Sequence, residues 1–312
     1  MRSSTRRGSP RGSSSEAEST ETASEDRYVV YGRLDARESV SLASVLRAKG
    51  IAAELVEESP SLVLALEARA GCERGPYLRT PEGFVLGGLH AILDWLERVH
   101  PDPALMPPAD RPVRRACARL LEDWIEFWLP GWPRSSWGPL EELGRHLSSA
   151  GFLLGREPTR PDHLLAAWLE TEVFVRDHAR AHLARHAPRL LSLGSDLLEA
   201  RFGAVTDDAI ALSLLPVLEE VSGDYHAYLR ANHAALKGGR SRVMLDLGLG
   251  ERALPRRRIC ELRRIERGRE LAALSPQARR DVRRVLEPVG AWDVLTLPPA
   301  VAEIDPADPR SL

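Results

Sequence analysis

The chain has 312 residues, with 43 lysines and arginines against 45 aspartates and glutamates, for a net charge of −2. That length accommodates two domains of ordinary size with a sizeable core, and the near balance of charge excludes a global pull toward nucleic acid or an anionic membrane surface. Cys72, Cys117 and Cys260 stand far apart with no Cys-x-x-Cys pair, which excludes a local redox or zinc motif; with no apolar run long enough to span a bilayer, a cytoplasmic location is expected.

Residues 1–26 form a low-complexity Ser/Arg/Gly/Thr/Glu segment with too little apolar surface to repay ordering, so a disordered tail is expected there. The first strand is predicted at Tyr28–Tyr31 and is ended by Gly32. Asp35 to Glu38 has the spacing of a capping box, and Val40, Ala43, Leu46 and Arg47 then give a helical face that closes at Lys49–Gly50. A strand over 53–57 and a short helix over 62–70 stopped by Gly71 follow. Next come a strand over Tyr77–Arg79, a turn at Pro81-Glu82-Gly83, a strand over 84–86, and a helix carrying Leu89, Ile92, Leu93 and Leu96 on one face. Prolines at 101, 103, 107, 108 and 112 mark a linker over 101–112. Beyond it the sequence reads as helical from 113 to 295, with a tail over 296–312. Cys117, Leu120, Leu121, Trp124 and Trp128 recur at helical spacing until Pro130-Gly131. Pattern alone gives a small α/β domain followed by an α domain.

The run Gly75-Pro76-Tyr77-Leu78, then Thr80-Pro81-Glu82-Gly83, then Phe84-Val85-Leu86, then Gly87 to Trp95 resembles the N-terminal signature of the glutathione S-transferase family. A second landmark, Phe152 to Asp162, resembles that family's Leu-Gly turn followed by a Ser/Thr-x-x-Asp cap, with Thr159 and Asp162 at the capping positions. The resemblance covers roughly 28–203, and segments 207–238 and 255–295 look like the extra helices of a bacterial subgroup with Leu-Glu-Asp, here Leu121-Glu122-Asp123. It implies a thioredoxin-like domain over 27–100, an all-α domain over 113–295, a cis Gly75–Pro76 bond at a cleft, and homodimerisation.

The resemblance also assigns positions. The family's acidic residue and serine, which hold the γ-glutamyl end of glutathione, correspond here to Gly88 and Leu89, and its thiol-activating Ser or Cys corresponds to Ala36. Alanine cannot donate to a thiolate, so Tyr31 and Ser39 are the substitutes within reach, the alternative being that Tyr31 packs and Ser39 is solvated. The backbone N–H groups of Gly88 and Leu89 retain the capacity to receive an anion, with Arg37 and Arg79 adding charge. Trp124 and Trp128, with Trp132 and Trp137, would line the helical side of the cleft as an apolar pocket, or serve as helix and loop packing.

Two further patterns are weighed on their own chemistry. His178, His182 and His186 share a helix face, but the outer pair lies about 12 Å apart along the axis, so a solvated face is favoured over a metal site. Between Gly250 and Gly290 twelve arginines face six acidic residues. Without interleaved stacking aromatics a nucleic-acid role is not expected, and pairing of these arginines with the chain's own glutamates, Glu261 and Glu266 among them, is preferred. Three functions stay open: glutathione conjugation to a hydrophobic electrophile through noncanonical residues, a silent member binding a small anionic or apolar ligand, or a scaffold whose arginine-rich helices engage a macromolecule.

Overall fold

A computed structural model describes residues 27–131, 137–203, 207–248 and 250–300; the expected tail over 1–26, Trp132 and residues 301–312 lie outside them. The N-terminal unit runs β1 (Tyr28–Tyr31), α1 (Arg37–Ala48), β2 (Ala53–Val56), α2 (Pro60–Ala70), β3 (Tyr77–Arg79), β4 (Val85–Gly87) and α3 (Leu89–Val99). Its sheet has the order β2-β1-β3-β4, with β1 parallel to β2 through the α1 crossover and antiparallel to β3, which in turn pairs antiparallel with β4. This is a thioredoxin-like half-sheet, and Gly75–Pro76, at the entry to β3, is cis, as is Asp102–Pro103 in the linker.

Local chemistry explains the element ends. Ser59 accepts from Leu62 N at 3.4 Å, Pro60 occupies the first position of α2, and Gly71 terminates it at φ 62°, where only glycine is unstrained. In α3, Leu89, Ile92, Leu93 and Leu96 form one buried stripe. Each such side chain contributes about 1.5–3 kcal/mol on burial.

The helical unit comprises α4 (Pro112–Phe127), α5 (Gly138–Ala150), α6 (Arg160–Trp168), α7 (Asp177–His186), α8 (Pro188–Glu199), α9 (Leu215–Val221), α10 (Ala227–Lys237), α11 (Arg258–Ala273), α12 (Pro276–Leu286) and α13 (Ala291–Leu295). The start of α4 is capped from a distance: the Asp208 carboxylate accepts from Val113 N and Arg114 N, each at 3.0 Å, and its charge suits the helix N-terminus. Helix α6 is central, packing on both α4 and α1, with Trp168, Leu164 and Leu165 buried. Its cap is the expected one: the Asp162 carboxylate accepts from Leu153 N at 2.7 Å and from both Thr159 N and Thr159 Oγ1 at 2.8 Å.

Two local expectations are corrected. Asp35 does not cap α1; its carboxylate is held by Arg33 at 3.0–3.1 Å, and the cap position falls on Ala36. The helical unit also carries an antiparallel ribbon, β5 (Arg242–Asp246) and β6 (Glu251–Pro255), between α10 and α11. The short alternation Val243, Leu245 followed by Asp246, Gly248 and Gly250 is a hairpin signal that the surrounding helical pattern obscured.

Candidate functional site

The cleft is built around the cis-proline turn. Gly88 N donates to Pro76 O at 3.2 Å, so β3's entry and the start of α3 are brought together as the sequence implied. Gly75 is exposed beside them, and Pro76 is buried. Gly88 is the N-cap of α3 at φ 82° and supplies no side-chain cap. Leu89 faces inward and belongs to the core, so the first turn of α3 offers backbone donors without a polar side chain from either position. Cys72, passed over in the sequence for want of a partner, lies beside this turn: a Cβ on Gly88 would come within 3.7 Å of its Sγ.

Ala36 stands at the N-cap of α1 with extended backbone, and nothing there replaces a hydroxyl. Of the two substitutes, Tyr31 sits at the end of β1, paired in register with Val56 and Tyr77. Ser39 is only 1% exposed, not solvated, and its hydroxyl and the Pro76 ring close together on Gly32, where a Cβ would collide with the Ser39 oxygen. Gly32 is the residue that lets the Ser39 hydroxyl come this close to the end of β1.

Charged groups of the two units meet near these turns. Arg37 pairs with its neighbour Glu38 and with Glu172 at 3.5 Å. Glu172 lies on a five-residue π-turn, Leu169–Val173, that widens the chain just after α6. Such turns re-aim side chains locally. On the other side of α3's first turn, His90 Nε2 contacts Glu126 Oε2 from α4. Burial pushes His90 well below its ordinary value and raises Glu126, with Arg263 of α11 opposing the latter, so both groups are driven toward their uncharged forms.

This contact opens onto a larger network. Arg160, fully buried, bonds Asp94 at 2.6 Å and Glu122 at 2.7 Å, and Arg119 bonds the same two carboxylates at 2.9 and 3.1 Å. Arg267 of α11 reaches Asp123 at 3.3 Å and Glu270 at 2.7 Å. Arg263 pairs with Glu266 at 2.8 Å and Arg264 with Glu261 at 2.6 Å. The arginine-rich helix α11 is therefore committed to ion pairs at these three positions, with Asp123 of Leu121-Glu122-Asp123 serving Arg267 and the helix's own Glu266 and Glu261 serving the other two.

The tryptophans divide. Trp124 is core. Trp128 is packed with Tyr225 and Tyr228, at ring centroid separations of 6.2 and 5.4 Å, and lines a cavity beneath the β5–β6 ribbon. Trp137 stacks on His182 at 4.7 Å; His182 also bonds Glu141 at 2.8 Å and stacks on His186 at 4.5 Å, so that row of histidines is engaged by packing and one carboxylate. Among the described residues no cluster of three metal-ligating side chains occurs, and no helix is long and apolar enough to cross a membrane.

A four-stranded sheet of this order with a cis-proline opening its third strand, followed by a helical unit entered through a capped central helix, is a glutathione S-transferase-like fold. No protein-family model and no curated protein matches the sequence. Among solved structures, the chain is similar to a glutathione S-transferase from Rhodospirillum rubrum at 19% identity and a TM-score of 0.46, covering 61% of this chain and 91% of that one. It is similar to a Methylobacterium radiotolerans glutathione S-transferase in complex with glutathione sulfonate at 26% identity and a TM-score of 0.39, covering 59% and 100%. A third is a maleylacetoacetate isomerase from Methylobacterium extorquens with bound malonate and GSH, at 24% identity and a TM-score of 0.40, covering 55% and 91%. The fold assignment rests on the sheet order and the cis-proline strand rather than on these overlaps.

Proposed function

We propose that this protein keeps the glutathione S-transferase fold without its thiol-transfer chemistry and acts by binding a small molecule. The observation that carries this is the composition of the cleft: Ala36 at the N-cap of α1, Gly88 without a side chain, and Leu89 turned into the core. A thiolate is stabilised by a donated hydrogen bond and a γ-glutamyl group by charge-assisted ones, each contributing roughly 1.5–3 kcal/mol. These three positions supply neither. Two charged side chains nearby are already engaged, Arg37 by Glu172 and Glu126 by His90, which further disfavours a glutathione site. Conversion of Gly88 to the family's acidic residue is opposed by its backbone, since φ 82° is strained for any residue with a Cβ.

One observation favours the transferase alternative, namely the burial of the Ser39 hydroxyl against Gly32, which the Pro76 ring also borders. Calorimetric titration with glutathione and a conjugation assay with a generic aromatic electrophile separate the two. The expected result is binding weaker by two or more decades than a micromolar site and turnover at background. The Ala36→Ser variant should be more stable by about 1 kcal/mol, through a new N-cap, while turnover stays at background. Micromolar binding with turnover that Ser39→Ala abolishes would overturn the silent reading.

A further inference from the structure

The β5–β6 ribbon has a function in its packing. A two-stranded ribbon is marginal alone and must rest one face on something. Side chains alternate along strands, so Val243, Leu245 and Leu247 share a face with Leu254 and Arg252, which lie opposite Val243 and Leu245 in the ladder. Asp246 and Glu251, also paired in register, belong to the other face.

The base of the ribbon is clamped. Val243 is buried, Tyr228 Oη donates to Pro255 O at 2.8 Å, and the Asn232 side chain both donates to Arg257 O at 3.0 Å and accepts from Arg257 N at 2.9 Å. Toward its tip the same face lifts away. There Leu245, Leu247 and Leu254 are only half-buried, and a cavity of about 230 Å³ opens between them and the aromatic end of α4, Phe127 and Trp128, with Tyr228 of α10 alongside. Two cations border this apolar space, Arg252 and Arg257, and among the described residues no acidic side chain does. Arg257 is held by Phe127 O at 2.8 Å, and Arg252 has no ion pair among the described residues.

We propose that this cavity binds a small aromatic carboxylate, its ring among Trp128, Tyr228 and Leu254 and its carboxylate on the Arg252 guanidinium. The proposal names a site and ligand class for the small-molecule binding inferred above. A guanidinium meets a carboxylate through two parallel donors, and a flat apolar wall beside it suits a ring. The volume falls below the roughly 300–1,000 Å³ typical of drug-sized ligand sites, which limits the ligand to one or two fused rings with a short acid. The charge sorting gives the selectivity, since Asp246 and Glu251 lie on the outer face while Arg252 faces the cavity.

The test is calorimetric titration of the full chain with 2-naphthoate and with its neutral counterpart 2-naphthalenemethanol. Naphthoate should bind at least about tenfold more tightly than the alcohol. Arg252→Gln, at an exposed position, should weaken naphthoate about tenfold to a hundredfold and leave the alcohol within about twofold. Leu245→Trp should fill the cavity and abolish both, with circular dichroism confirming that both variants are folded. Equal binding of acid and alcohol, or naphthoate binding unchanged in the two folded variants, or none at millimolar concentration, would overturn the proposal. Failure here leaves the glutathione and conjugation results standing, and a conjugating enzyme would leave the naphthoate isotherm to decide this cavity by itself.

Discussion

Replacing Asp162 with Ala should cost about 2–6 kcal/mol. The carboxylate is fully buried at the start of α6 and receives Leu153 N at 2.7 Å, Thr159 N at 2.8 Å and Thr159 Oγ1 at 2.8 Å. Alanine leaves two backbone N–H groups without an acceptor where water does not reach. Each orphaned buried donor costs about 1–3 kcal/mol, whereas the Thr159 hydroxyl rotates to seek another partner. Thr159→Ala is the matched control, because it removes the hydroxyl alone and leaves both backbone bonds, for an expected loss of about 0.5–1.5 kcal/mol. The loss from Asp162→Ala is a large part of the 5–15 kcal/mol that ordinarily holds a domain, and it falls on the helix that packs against both α1 and α4. Urea unfolding followed by tryptophan fluorescence reads both variants. If Asp162→Ala costs no more than Thr159→Ala, the two backbone bonds do not carry the cap and the reasoning fails.

Two buried histidines should make the fold sensitive to acid. Burial, and then Lys49, holds His163 down to about 4, and burial, and then Arg230, holds His226 down to about 3. The unfolded chain takes up protons near 6.5 that the folded chain refuses, so stability is full above that pH and is lost as pH falls toward 4 and 3. At pH 5 each of these two groups costs about 2 kcal/mol relative to pH 8, so a His163→Gln/His226→Gln double variant should lose about 4 kcal/mol less than wild type between the two pH values in thermal melts; the same pH slope as wild type would refute the assignment. Arg264→Ala should cost about 3–5 kcal/mol, since it strands the buried Glu261 carboxylate and the Val294, Leu297 and Pro298 carbonyls that Arg264 now serves at 3.2, 2.7 and 3.1 Å. A melt shifted by less than 1 kcal/mol would show that this end of the chain does not depend on the pair.

The N-terminal architecture and the central helix α6 were legible because their signals are local. Gly75-Pro76 announces the strand entry, Leu89, Ile92, Leu93 and Leu96 the face of α3, and Thr159 with Asp162 the cap of α6, each written within a few residues. What the sequence misplaced depends on contacts distant along the chain or on competition between near neighbours. Asp35 has the composition of a cap, but Arg33 two residues earlier captures it, and the helix starts one position later. Ser39 looks solvated by its place after a charged turn, yet the α1 crossover carries it under Gly32. The ribbon was hidden because five-residue strands inside a long helical stretch leave little periodicity to read.

The arginine excess near the C-terminus shows how charge counting and structure meet. Twelve arginines against six acids over 250–290 suggest a basic surface when the segment is taken alone. Folding brings α11 against α4, whose Glu122, Asp123 and Glu126 lie in one stretch of helix and are buried or nearly so. Those carboxylates would be costly to bury unpaired, and α11 is where the compensating guanidinium of Arg267 comes from, while Arg160 and Arg119 serve Glu122. Guanidinium suits this better than ammonium, because its spread nitrogens reach two carboxylates at once, as Arg160 does in donating to Asp94 and pairing with Glu122. The same network brings Arg263 to bear on Glu126 and, through it, on the buried His90 in the first turn of α3. A basic stretch of sequence thus becomes, at Arg263, Arg264 and Arg267, part of the packing between helices, because buried acids on α4 and α11 need a guanidinium beside them.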